Sequence, residues 1–380
     1  MTHSAQDPST PTTHLIDTDG GVQAVARKLA TLPRIALDTE FHAERRYYPE
    51  LMLLQVASPS GEVWIADPRQ CDLRPLIHAI STREVLVHAG QEDMAILHRE
   101  AETAPADVID IQIAAGLVGL GYPARLGHIC EVLLHQPIDK GETLSDWSQR
   151  PLTSQQLHYA AQDVRILLTL HEVLIERLRT HGRLAWAMEA SADLVRHSIH
   201  SRKIKHKWLD WDIAPSFDVE TRRTLQAIFE WRDARGRDKD QPPHYMLGDG
   251  IALDIARRRP RSIDELKTNR RIPAGLIRRY GPEIISVVNE NDLMDLDLIE
   301  VPSNEQRQLA HTLEIWAKIQ EPVTGLAAKL IMPRPVALAV AQQGIDAISG
   351  WRTSAIGGPL NAFLSGNTSI KMGPNGLQIG

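Results

Sequence analysis

A mixed α/β domain, a sheet flanked by helices, followed by all-α modules is the fold class that this 380-residue chain predicts. Three observations predict it. Runs with strand character recur between Arg34 and Ala66 and again at Val85-Leu86-Val87. A helix-start signal at Thr153 is followed by apolar residues at helical period, and the stretch from Leu225 to Leu266 carries short helical patterns broken by turn residues. The length exceeds that of a usual single core, so two or three domains are expected.

Residues 1–14 are polar, lack the apolar core of a signal segment, and read as a loose tail. Arg34-Ile35-Ala36-Leu37-Asp38-Thr39-Glu40 reads as a strand that starts just after Pro33. Side chains alternate along a strand, so Ala36, Asp38 and Glu40 share one face and Ile35, Leu37 and Thr39 the other. Two carboxylates held that close repel each other unless a cation lies between them, and hard divalent cations prefer oxygen ligands. In a chain with 48 acidic residues, an Asp-x-Glu triplet also arises by chance at a solvated strand end. Leu51 to Ala57 and Glu62 to Ala66 are further strand-like runs that suggest an antiparallel meander. Val85 to Val87 reads as a buried strand, His88-Ala89-Gly90 as a turn, and Gln91 to Arg99 as a helix with Glu92 and Asp93 in its first turn. An acid there complements the helix dipole and is ordinary on its own. Thr153-Ser154-Gln155-Gln156 has the form of a capping box, after which Leu157, Ala161, Val164, Leu168 and Leu174 recur near helical period. On that helix Tyr159 and Asp163 are four residues apart and share a face.

The order of these groups is more specific than any one of them. A strand with Asp-x-Glu, a meander, a strand-to-helix Asp and a helix with Tyr-x-x-x-Asp are similar to the DEDD exonuclease superfamily in its tyrosine-bearing subgroup. The runs Leu37 to Pro49, Leu53-Leu54-Gln55, His88 to Asp93 and Asp146 to Val164 resemble the bacterial ribonuclease D family, over roughly residues 15–300. The resemblance implies a ribonuclease H-like exonuclease domain at residues 15–200. It implies Asp38, Glu40, Asp93 and Asp163 as ligands of two divalent ions, Mg²⁺ or Mn²⁺, with Asp38 as the bridge. Tyr159 then orients the attacking water and helps to deprotonate it. Hydrolysis of RNA from its 3′ end to nucleoside 5′-monophosphates is the implied reaction, and tRNA 3′ processing the implied role. Phe41, Gln55 and His88 are expected to contact the terminal nucleotide, although each has a plain packing explanation: a core Phe, a Gln bonded to backbone, a strand-end His.

Beyond residue 200 the charge changes sign. Val195 to Tyr280 holds 20 Lys and Arg against 12 Asp and Glu, a surplus of +8 inside a chain of net charge −6. A basic module suits phosphate binding, although any one stretch such as Arg257-Arg258-Arg259 is as readily a solvated helix face. Residues 201–211 read as a basic connector, with Trp208 to Pro215 an extended lead, and residues 212–291 resemble the HRDC domain, a helical module linked to nucleic-acid binding. Residues 302–380 read as a second, diverged HRDC-like helical domain without the basic surplus, and Asn367 to Gly380 as a frayed end.

Other classes find less support. Cys71 and Cys130 give no disulfide framework, and no Cys and His cluster suggests zinc. Gly119-Leu120-Gly121 lacks a following Gly-Lys-Ser/Thr, which counts against an ATPase. No run is long enough to span a bilayer, so a cytoplasmic protein with no membrane partner is expected, as a monomer. Asp110 reads as a helix cap, and His158 points off the face of Tyr159. A DNA 3′–5′ exonuclease of the same superfamily stays open, because the chemistry does not use the 2′-hydroxyl. A non-catalytic RNA-binding protein is the other alternative, against which all four carboxylates are present.

Overall fold

The structure, a computed structural model, describes residues 12–137, 145–200, 206–290, 298–374 and 376–380. The chain divides into two compact units, one formed by Met1–His42, Leu51–Arg202 and Gln308–Gly380, the other by Ala43–Glu50 and Lys203–Arg307.

In the first unit the elements run β1 (Thr13–Ile16), α1 (Asp19–Leu29), β2 (Arg34–His42), β3 (Glu50–Ala57), β4 (Val63–Ala66), α2 (Arg74–Ile80), β5 (Glu84–Val87), α3 (Gln91–Ala101) and β6 (Asp107–Asp110). Helices α4 (Ile111–Leu117), α5 (Leu126–Leu134), α6 (Ser154–Thr180) and α7 (Leu184–His200) follow. The sheet has the order β1-β4-β3-β2-β5-β6. It is mixed: β3 and β4 are antiparallel, while β1 with β4, β2 with β5 and β5 with β6 are parallel. Strand β1 begins at Thr13, inside the expected tail. Its mostly exposed residues give no apolar alternation to read, and its partner is β4.

Alternation along β2 sorts its side chains between two cores. Ile35 and Leu37 pack with Val22, Leu76, Met94 and Leu97, from helices α1 to α3. Ala36 packs with Ile113, Ala160, Val164 and Leu167, from α4 and α6. The capping box that starts α6 is formed: the Thr153 hydroxyl accepts from Gln156 N–H at 3.1 Å, and the Gln156 side-chain oxygen accepts from Thr153 N–H at 3.0 Å.

The second unit holds two single helical turns, Lys207–Asp210 and Ala214–Ser216, then α8 (Val219–Lys239), α9 (Pro243–Met246), α10 (Asp249–Arg258), α11 (Ile263–Lys267) and α12 (Ala274–Glu290). The lead from Trp208 to Pro215 is therefore coiled into turns where an extended segment was expected. Burial explains it, since Trp208 and Ala214 are fully enclosed with Phe229, Ile255 and Ile284. Residues 201–205 and 291–297 lie outside the described residues.

Helices α13 (Asn304–Thr324), α14 (Ala328–Ile331), α15 (Arg334–Gln343) and α16 (Trp351–Leu364) complete the chain with a hairpin, β7 (Ile370–Gly373) and β8 (Gly376–Ile379). From Gln308 onward this segment belongs to the first unit. Trp316, Ile331, Trp351 and Leu360 are buried in one apolar cluster with Leu117 of α4 and Leu170 of α6. Arg183 ties the parts together by donating to the carbonyls of Leu117 (2.6 Å), Thr324 (2.5 Å) and Gly325 (3.0 Å). The expected frayed end is instead paired strand, with Ser369 and Gly380 exchanging backbone hydrogen bonds. Among the described residues no helix is long and apolar enough to cross a membrane.

Candidate active site

Strand β2 and helix α6 bring three carboxylates together. Asp38 and Glu40 continue the face of β2 that carries Ala36, and α6 packs against β2. One oxygen each from Asp38, Glu40 and Asp163 lie within 4.8 Å of one another, and all three side chains are half-buried. Asp93 is beside this group but outside it. Its carboxylate, 6% exposed, accepts a 2.5 Å hydrogen bond from the Thr39 hydroxyl. Thr39 occupies the opposite face of β2, so the end of that strand carries acids on one face and fixes a fourth from the other.

The electrostatics follow from crowding. Burial, then the charges of Asp93, Glu40 and Asp163, push Asp38 well above the usual carboxylate range. Burial, then Asp163 and Asp93, raise Glu40 to about 8. Burial raises Asp93 to about 6 against the opposing pull of the Thr39 hydroxyl, and raises Asp163 to about 6 against that of Tyr159. Carboxyls pushed toward protonation by burial and, at Asp38 and Glu40, by one another's charge form a donor set suited to a hard divalent cation. The residues present thus fit a metal centre.

Tyr159, half-buried, shares the face of α6 with Asp163 and hydrogen-bonds its carboxylate. Its ring centroid is 6.1 Å from that of Trp147, which is 4% exposed. Trp147 sits on a segment locked by Arg150. That guanidinium donates to both oxygens of Asp67 (2.5 and 3.0 Å), to the Met52 carbonyl (3.1 Å) and to the Trp147 carbonyl (2.9 Å). Sequence reasoning missed this clamp and the Thr39 contact. The only signal was the presence of Thr39, Trp147 and Arg150 inside the resembling runs, which do not include Asp67.

The turn before α3 is set by sterics and by Asp110. Ala89 has φ +57°, and a side chain on Gly90 would meet Val87 at 2.5 Å. Asp110 accepts from Ala89 and Gly90 N–H (3.2 and 3.0 Å), and caps α4 through Gln112 and Ile113 N–H (2.7 and 3.3 Å). It is a cap, as expected, and it also holds the turn that leads to Asp93.

The three expected nucleotide contacts differ. Phe41 is half-buried and packs against the core that contains Ile35 and Leu37, on the face of β2 away from Asp38 and Glu40. His88 donates through Nε2 to the Ala124 carbonyl at 2.9 Å, and burial lowers its pKa. Gln55 is fully buried, and neither side-chain amide atom has a hydrogen-bond partner among the described residues. The backbone bond expected of it is absent there, and an orphaned buried amide calls for an explanation. In the second unit Arg257, Arg258, Arg270 and Arg271 are all exposed, Arg257 lying over the Phe217 ring and Arg271 pairing with Asp254 at 3.1 Å.

Comparison with known proteins places the site in context. A 3′-5′ exonuclease family model matches residues 13–179, and an HRDC domain model matches residues 222–288. A ribonuclease D of Nitrobacter hamburgensis is 30% identical over 373 residues, covering 94% of this chain and 96% of that protein. A ribonuclease D of Xanthomonas oryzae is 33% identical over 237 residues, covering 61% and 65%. The crystal structure of Escherichia coli RNase D, an exoribonuclease involved in structured RNA processing, superposes with a TM-score of 0.81 at 24% identity, covering 93% of this chain and 99% of that one. At that identity the superposition shows the fold alone.

Proposed function

The chain belongs to the ribonuclease D family, and from that premise we propose that it shortens RNA from the 3′ end by hydrolysis, releasing nucleoside 5′-monophosphates, with tRNA precursors among its substrates. The observation that carries the reading is the meeting of Asp38, Glu40 and Asp163 within 4.8 Å, with the Tyr159 hydroxyl on Asp163. Asp38, Glu40 and Asp163, together with Asp93, would hold two divalent ions, Mg²⁺ or Mn²⁺. Such ions, when bound, stabilise the attacking and leaving oxygens of an in-line displacement at phosphorus.

The chain's own groups do the rest. Thr39 fixes the Asp93 carboxylate, and the buried surroundings raise the electrostatic weight of every charge in the site. Tyr159 is a neutral donor whose hydroxyl orients the attacking water and eases its deprotonation. Trp147 and the Arg150–Asp67 clamp keep its ring in place. Phe41, Gln55 and His88 are the proposed contacts of the terminal nucleotide, and the orphaned amide of Gln55 is the best motivated of them. The reading has the protein act in the cytoplasm as a monomer.

Matched oligomers with an all-RNA or an all-DNA 3′ end, incubated with Mg²⁺ and then with EDTA, test it. Metal-dependent release of 5′-monophosphates from the RNA end is expected. Equal or faster release from DNA would move the reading to the DNA exonuclease of the same superfamily, and no release from either would overturn catalysis.

A further inference from the structure

One buried carboxylate starts two helices of the first unit. Asp110, 1% exposed, ends β6 and is the N-cap of α4, where its Oδ1 accepts from Gln112 and Ile113 N–H. A cap needs no more than that. Yet Oδ1 also accepts from Ala89 N–H at 3.2 Å, and Oδ2 from Gly90 N–H at 3.0 Å. Gly90 is the N-cap of α3 and, as a glycine, has no side chain with which to cap it. Its carbonyl opens α3 by accepting from Met94 N–H at 3.0 Å, and Asp93 lies in that first turn.

The turn would not keep this shape unaided. Ala89 is in the left-handed region at φ +57°, which a non-glycine residue holds only where its surroundings over-determine it. Asp110 does so on one side. On the other stands the Ala124 carbonyl, which receives both His88 Nε2 (2.9 Å) and Gln112 Nε2 (3.0 Å). Asp110 is itself fixed by α7, since its N–H donates to the fully buried Ser191 hydroxyl at 3.0 Å.

We infer that Asp110 is a positioning residue for the metal centre: by holding the Ala89–Gly90 turn it sets where α3 begins, and through α3 it places the Asp93 carboxylate beside Asp38, Glu40 and Asp163. The inference rests on the two-ion reading and gives a residue outside the acidic group a share in its affinity for cations. Asp93 is then held at two points. Thr39 fixes the carboxylate, and Asp110 fixes the start of the helix that carries it. Contacts that orient a ligand typically carry roughly 10–100-fold in metal affinity.

The test is calorimetric titration of the full chain with Mn²⁺, without RNA. Serine caps a helix about as well as aspartate, but its single, shorter-reaching oxygen cannot also hold the turn. Asp110→Ser should therefore keep the start of α4, release Ala89 and Gly90, and lower Mn²⁺ affinity about tenfold. Asp110→Asn keeps the size but turns an amide nitrogen, which cannot accept, toward one of the two helices, and its affinity should fall as well. Ser191→Ala is the structural control: it strips the Asp110 N–H of its partner and should lower Tm while Mn²⁺ affinity stays that of the wild type. Thr39→Val and Asp110→Ser loosen the same carboxylate, so together they should cost less than the product of their separate factors. Wild-type Mn²⁺ affinity in Asp110→Ser and Asp110→Asn would overturn the inference, as would an equal loss of affinity in Ser191→Ala. A wild-type protein that binds no Mn²⁺ would overturn the two-ion reading instead.

Discussion

Glu40→Gln in protein stripped of metal by EDTA should become more stable than the wild type as pH rises. In the folded chain Glu40 titrates at about 8 against an ordinary 4.5, because of burial and then the charges of Asp163 and Asp93. A carboxyl with a raised folded pKa binds its proton more tightly folded than unfolded. Its stabilisation is complete below about pH 4.5 and is lost as pH rises through about 8. The gap between those values, at about 1.36 kcal/mol per pH unit, sets a ceiling of about 5 kcal/mol. Protons are shared among the four acids and Glu40 is partly open to solvent, so about 2 kcal/mol is the working figure.

Glutamine carries no charge at any pH and should escape that loss. The histidines slope the other way: His171 is held down to about 4 by burial and Arg34, so its stabilisation is lost as pH falls from about 6.5. Subtracting the variant's melting curve from that of the wild type cancels them. The two Tm values should converge toward pH 5 and part as pH rises to 9. At about 2–4 °C per kcal/mol, the variant should then melt about 4–8 °C higher. Mg²⁺ at about 100 times its Kd should return about 2.7 kcal/mol to the wild type at pH 8, and less to the variant. Parallel curves from pH 5 to 9 would refute the account of Asp38, Glu40 and Asp163 as a charge cluster awaiting a cation.

Other outcomes follow from the same geometry. Asp38→Asn and Asp163→Asn should abolish RNA shortening while far-UV circular dichroism stays that of the wild type; near-normal turnover in either would remove the carboxylates from the mechanism. Tyr159→Phe keeps the ring beside Trp147 and should leave calorimetric metal affinity intact while single-turnover kcat falls roughly 10²–10⁴-fold. Arg257, Arg258, Arg270 and Arg271 changed together to Ala should weaken binding of long structured RNA and flatten its salt slope by up to about one per lost phosphate contact, with diribonucleotide cleavage as the reference. An unaltered slope would make these arginines a solvated face.

What could be read in advance was local. The alternation of β2 fixes the shared face of Asp38 and Glu40, the four-residue spacing on α6 fixes that of Tyr159 and Asp163, and the capping box fixes where α6 begins. Asp110 was recognisable as a cap because its donors, Gln112 and Ile113, are two and three residues away. The hydrogen bond that holds Asp93 was not legible, because its donor Thr39 is 54 residues distant and lies on the face of β2 that alternation marks as merely apolar. Trp316 and Trp351 show why the place of residues 302–380 in the fold is not legible in the sequence. An apolar stripe announces that a helix buries one face, but not whose core receives it, and here the core is that of α4 and α6. The segment Ala43–Glu50 is the sharpest case. Tyr47 and Asp233 are 186 residues apart, and neither stands out in the sequence by itself. Only the fold makes them a clamp, the Tyr47 hydroxyl donating to the Asp233 carboxylate, and only the clamp gives the left-handed backbone of Arg45 a physical cause.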